Sequence, residues 1–140
     1  MAEVSTLLFP WDDSFSVKIG LIDMQHKKMV GMINELHRAM VGGKGKKNLS
    51  SILSGLIDYT REHFITEEIL MQAHAYPEFL THKLEHQKLT KTVVGLQRRF
   101  RSNEGGLTIE VMEFLKDWLR NHILGSDKRY APYLNAKGVL

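Results

Sequence analysis

Residues 49–70 read LSSILSGLIDYTREHFITEEIL, and the way this stretch repeats decides the fold. Leu49, Ile52, Leu56, Tyr59, His63, Glu67 and Leu70 recur in steps of three and four, the period of a helix that buries one face. Two of these positions are not apolar: an imidazole and a carboxylate stand where the pattern places the interior. A buried charge without a partner is strongly destabilising. The stretch therefore predicts a core helix that carries something for its polar residues to bind.

Working outward, three more segments share the period. They read Ile22, His26, Met29, Ile33, Leu36, Met40; then Phe79, His82, His86, Leu89, Val93, Leu96, Phe100; then Leu107, Val111, Phe114, Trp118, His122. Three breaks separate them: Gly42-Gly43-Lys44-Gly45, Ala75-Tyr76-Pro77, and Ser102-Asn103-Glu104-Gly105-Gly106. Glycine and proline clusters of this kind end helices. Ser50 and Ser51, Pro77 and Thr108 lie near the starts, where such residues cap or tolerate a first turn. Short connections make neighbouring helices antiparallel. The expected fold is thus all-α: an up-down-up-down four-helix bundle with helices at about 21–41, 48–73, 77–102 and 107–124. Trp11, Phe15, Val17 and Ile19 alternate with polar residues and predict an extended arm over residues 1–20, lying across the bundle. Residues 125–140 are expected to form a C-terminal tail, and residues 1–140 a single domain.

Composition narrows the chemistry. The chain has no cysteine, which excludes disulfides, thiolate-held zinc and cysteine-held iron–sulfur clusters. No apolar run reaches the length of a membrane span, and the start lacks the pattern of a signal peptide. A cytoplasmic protein without membrane insertion is expected. The net charge is +3, with basic residues gathered in GGKGKK (42–47) and QRRFR (97–101). Solvated loops and helix C-termini commonly carry such cations, so no nucleic-acid partner is expected.

The seven histidines are more informative. His26, His63, Glu67, His82, His86 and His122 all fall at interior positions of the four periodic segments. His63 and Glu67, like His82 and His86, are four residues apart, roughly 40° around a helix and one turn along it, so each pair can reach one ion. Asp127 is five residues past His122, roughly 140° round an ideal helix. A break or widened turn near Gly125 is needed to bring it inward. Five imidazoles and two carboxylates exceed the needs of one first-row ion and suit two ions bridged by the carboxylates. Imidazole alone would serve iron, zinc or copper, and the carboxylates shift the preference toward iron or manganese. His37 and His74 lie eleven residues beyond His26 and His63, on nearly the same face but roughly 16 Å along the axis, and read as bundle-end or surface residues. Glu62, Glu68 and Glu85 adjoin the candidate ligands but point away at helical spacing, toward solvent or the backs of the ligands.

These residues carry a family resemblance. Ile22-Asp23-Met24-Gln25-His26, His63-Phe64-Ile65-Thr66-Glu67-Glu68-Ile69-Leu70-Met71, Tyr76-Pro77 before His82 and His86, and Trp118-Leu119 before His122, Asp127 and Tyr130 resemble the hemerythrin family, especially its bacterial members. The resemblance runs from the Trp11 arm to Tyr130. It implies a non-haem di-iron protein that binds dioxygen reversibly, as a carrier, store or delivery protein and not an enzyme. Carried over by position, His82, His86 and His122 would hold one iron, and His26 and His63 the other. Glu67, Asp127 and an oxo or hydroxo group would bridge the two Fe2+/Fe3+ ions, leaving one position open for dioxygen. Met29, Phe64, Trp118, Leu119 and Ile123 would wall that position, with Met29 in place of the leucine more usual in the family. Tyr130 reads either as a hydrogen-bond partner near the Asp127 carboxylate or as a packing residue. The other readings are an oxygen- or redox-sensing module, which needs an output domain that these 140 residues do not encode, a di-iron oxidase or peroxidase, or a zinc-filled site. The partners expected are dioxygen and an oxygen-using protein, and the expected state is a monomer.

Overall fold

The computed structural model describes residues 7–103 and 109–140. It contains α1 (Gly20–Val41), α2 (Lys46–Ala73), α3 (Phe79–Arg101), α4 (Ile109–His122) and α5 (Lys128–Ala136), with a π turn, Ile123–Asp127, between the last two. No strand occurs among the described residues, and the four long helices form the all-α bundle. The expected cap at Thr108, Leu107 of the fourth stripe, and the Glu104–Gly106 part of the third break lie outside the described residues, as do residues 1–6 of the arm.

Among its described residues the arm contains a 3-10 turn, Asp13–Phe15, capped by the Asp12 carboxylate, which accepts the Ser14 N–H. Its attachment to α1 is polar at two points, and Asn135 of α5 donates to the Lys18 carbonyl at 3.1 Å. Asn34, buried on α1, accepts the Phe9 N–H and donates to the Phe9 carbonyl, both at 2.8 Å. Asp23 accepts the Val17 N–H at 2.8 Å and the Ser16 hydroxyl at 2.5 Å. Between these points Phe9, Phe15 and Val17 turn inward and are buried. Trp11 is only half-buried, packing on Phe15 and under Lys27.

The apolar interior divides into two clusters along the bundle axis. The larger one holds Met29, Ile33, Leu56, Leu89, Leu115 and Leu119 among others. The smaller holds Val17, Ile19, Ile22, Met71, Tyr76, Tyr130, Ala131 and Leu134. The candidate ligands come between them: His26 follows Ile22 and precedes Met29 on α1, His63 and Glu67 lie between Ile57 and Met71 on α2, and His86 precedes Leu89 on α3. The polar residues therefore form one layer with apolar side chains above and below it.

Two expectations are corrected. Residues 125–140 are not a tail, because α5 contributes Tyr130, Ala131 and Leu134 to close the smaller cluster. The four-residue step from Tyr130 to Leu134 carried that signal, but Pro132 and the shortness of the segment obscured it. The buried stripe of α4 is Met112, Leu115, Leu119 and His122, not the one through Val111 and Phe114. Phe114 is 41% exposed. Both series keep the three-four step and share His122, so periodicity alone did not choose between them. Phe114 instead lines an open groove between α3 and α4, with Leu89 and Trp118.

Candidate metal centre

Each of the four long helices delivers candidate ligands to the polar layer: His26 from α1, His63 and Glu67 from α2, His82 and His86 from α3, and His122 from α4. Asp127 joins them through the π turn. There the Lys128 N–H bonds the Ile123 carbonyl, five residues back. That wider turn brings residues five apart onto one face, and His122 Nε2 lies 3.2 Å from Asp127 Oδ1. The seven side chains are all buried, with Asp127 and His26 at 0% exposure.

The ligand atoms fall into two groups within coordination range: Glu67, His82, His86, His122 and Asp127; and His26, His63, Glu67 and Asp127. The carboxylates belong to both because each turns one oxygen to each side. Glu67 Oε1 is 3.0 Å from His86 Nε2 and 3.6 Å from His82 Nε2. Its Oε2 is 3.3 Å from His63 Nε2 and 3.5 Å from His26 Nε2. Asp127 Oδ1 faces His82 at 3.0 Å, and Oδ2 faces His26 at 3.0 Å. This division is what two carboxylates spanning a pair of cations present.

The donors also fit a cation in their unmet bonding. The Nε2 atoms of all five histidines, Glu67 Oε1 and both Asp127 oxygens are buried without a hydrogen-bond partner. Their mutual approaches are close but not aligned as hydrogen bonds. Eight buried polar atoms converging on one another would be costly in a core that offered them nothing else. Their opposite ring atoms are partly committed. His63 Nδ1 is 2.6 Å from Gln25 Oε1, His86 Nδ1 is 2.8 Å from Glu68 Oε2, and His122 Nδ1 is 3.4 Å from Glu85 Oε2. An acceptor on Nδ1 keeps the proton there and leaves the Nε2 lone pair directed into the layer.

Without a cation the layer shares protons. Burial alone would lower the His26 imidazole, but the Asp127 and Glu67 carboxylates outweigh it and raise it to about 9. The same balance raises His82 to about 10. Burial would raise Glu67, yet His63 first, with His26 and His82, holds it well below the ordinary carboxylate range. Asp127 is likewise depressed: burial and the Glu67 charge push it up, and His122 and His26 more than reverse this.

A match to the family model for the hemerythrin HHE cation-binding domain spans residues 17–134. The chain belongs to the hemerythrin family. Bacteriohemerythrin of Methylococcus capsulatus is 38% identical over 122 residues, 87% of this chain and 92% of that protein. A hemerythrin-like protein of Naegleria gruberi is 34% identical, covering 94% and 93% of the two chains. A solved wild-type hemerythrin superposes with a TM-score of 0.87 at 38% identity, covering 91% of this chain and 98% of that one. A single-substitution hemerythrin variant gives 0.88 at 36% identity, covering 92% and 98%.

Within this hemerythrin domain, the other expected positions distribute as follows. Met29, Trp118 and Leu119 line an apolar cavity of about 30 Å³ in the larger cluster, with Ile33, Leu53, Leu56, Ile57, Thr60, Leu89, Val93 and Leu115. Phe64 and Ile123 are buried but do not line it. Phe64 stacks on the His86 ring at 3.8 Å between centroids, while Trp118 stacks on His122 at 4.7 Å. His37 and His74 are half-buried and outside both ligand groups. Tyr130 packs in the smaller cluster and donates its hydroxyl to Glu67 Oε2 at 2.6 Å, the other carboxylate of the layer and not Asp127. Burial and the Glu67 charge push its phenol well above the usual value. Sequence reasoning missed Asn34 and the role of Gln25, because each acts on a partner far along the chain, while periodicity reports only the face within one helix.

Proposed function

We propose that this chain binds two iron ions in the polar layer and uses them to take up and release dioxygen. The observation that carries the proposal is the split of each carboxylate between two imidazole groups. His82, His86, His122, Glu67 and Asp127 would hold one ion; His26, His63, Glu67 and Asp127 would hold the other, which has fewer protein donors and hence an open position. An iron pair with a bridging oxo or hydroxo group supplies reversible electron exchange with dioxygen when bound.

The chain's own residues supply the conditions for reversibility. The cavity beside the layer exceeds the ~10–15 Å³ that one water needs, yet apolar cavities of this kind stay dry. Its polar lining groups are the Thr60 hydroxyl, which donates to the Leu56 carbonyl at 2.7 Å, and the very weakly acidic indole N–H of Trp118. The cavity therefore presents no carboxyl, imidazole or free hydroxyl proton, and dioxygen entering it meets Met29, Leu119 and Trp118 instead of water. The absence of an acid or base on this wall supports a carrier, store or delivery protein over an oxidase or peroxidase.

The test is metal analysis together with the visible spectrum of the reduced protein before air, in air, and after oxygen removal. Two irons per chain and a charge-transfer band that appears and disappears over repeated cycles are expected. Zinc, one metal per chain, or a single irreversible oxidation would refute the reading. Turnover with peroxide and a reductant would move the protein to the enzyme class.

A further inference from the structure

The backs of the imidazoles are not alike on the two sides of the layer. On the five-ligand side His86 rests on the Glu68 carboxylate at 2.8 Å, and His122 faces the Glu85 carboxylate at 3.4 Å. Glu85 is itself held by the Ser126 hydroxyl. On the four-ligand side His63 rests on a neutral amide, Gln25, at 2.6 Å. His26 Nδ1 is buried with no hydrogen-bond partner among the described residues. Carboxylates therefore back one metal position, and none backs the other.

A carboxylate that accepts an Nδ1–H draws the proton toward itself and makes Nε2 a stronger electron donor; a neutral amide oxygen does this less. We infer that Gln25 and Glu68 are positioning residues that grade the two sites, so that the five-ligand position fills first and the four-ligand position holds its ion more loosely. This rests on the two-metal reading above. The difference in ligand number acts in the same direction, but only the outer partners can be exchanged without removing a ligand. Gln25 also lies 3.4 Å from the Thr66 hydroxyl, which now donates to the Glu62 carbonyl. That hydroxyl can rotate to donate to a carboxylate placed at residue 25, so the exchange is sterically and electrostatically accommodated.

The experiment is anaerobic titration of the full-length metal-free chain with Co(II), followed by the cobalt absorption bands and by competition with a chelating dye. Two phases are expected for the unaltered protein. Gln25→Glu should tighten the second phase by about 10-fold or more and leave the first unchanged, the range outer partners of metal-bound histidines command. Glu68→Gln should weaken the first phase by about the same factor and leave the second unchanged. Two ions per chain with Gln25→Glu affecting neither phase, or both equally, would overturn the grading while leaving the two-metal reading intact. Uptake of only one ion by the unaltered protein would overturn both.

Discussion

Removing the Tyr130 hydroxyl isolates one interaction at the layer. Tyr130→Phe keeps the ring, its packing in the smaller cluster and its edge contact with Tyr76, and deletes only the 2.6 Å bond to Glu67 Oε2. Both partners are almost completely buried, Tyr130 at 0% and Glu67 at 1% exposure. Water therefore cannot replace the lost donor. Glu67 is held in its charged form, so the bond is charge-assisted and its loss should cost about 1.5–3 kcal/mol. Unfolding entropy of about 2.1 cal/mol/K per residue gives roughly 0.3 kcal/mol/K for a chain of this length, so the melting temperature should fall by about 5–10 °C. Tyr133→Phe is the matched control. Its hydroxyl donates only to neutral carbonyls, those of His74 at 2.7 Å and Ala75 at 2.9 Å. A neutral bond is worth about 0.5–1.5 kcal/mol, or roughly 2–5 °C here. Both variants would be melted in the metal-free form by circular dichroism, with urea titration checking that the slope is unchanged. A Tyr130→Phe loss no larger than that of Tyr133→Phe would refute the claim that Glu67 is a buried carboxylate anchored by this phenol.

Metal uptake should be steeply pH-dependent. With His26 raised to about 9 and His82 to about 10, both are protonated near pH 7.5 in the metal-free chain, and ion binding must expel about two protons. Calorimetry in buffers of different ionisation enthalpy measures that number, and a value near zero would contradict the proton-sharing layer. The raised histidines stabilise the metal-free fold fully below their ordinary 6.5, and lose that contribution as pH rises through about 9 and 10. The depressed carboxylates contribute above their ordinary 4.5 and 3.8, and lose it as pH falls toward their lower values. Metal-free stability should therefore peak between those ordinary values, in the weakly acidic range. Gly125→Ala tests the origin of the π turn. A Cβ there meets nothing within 4 Å, and the backbone is not left-handed, so the variant should keep its metal stoichiometry and gain about 0.4–1 kcal/mol. Loss of metal binding would show that glycine's freedom, and not the pull of Asp127 into the layer, makes the turn.

What the sequence determined by itself is what repeats within one helix. Steps of three and four placed His26, His63, Glu67, His82, His86 and His122 on buried faces, and three glycine- or proline-bearing breaks divided the bundle. The misfit of Asp127 with an ideal helix even required the widened turn that the structure contains. Tertiary structure decided what depends on neighbouring helices. It chose Leu115 and Leu119 over Phe114 as the inner face of α4, because both series have the same period and only the groove beside α3 distinguishes them. It made residues 128–136 a helix, since a nine-residue segment with an internal proline is held by the packing of Tyr130 and Leu134, not by local propensity. It also gave Tyr130 to Glu67, and Gln25, Glu68 and Glu85 to the backs of three histidines. Those pairs join residues 18 to 63 positions apart, a distance at which helical periodicity carries no information.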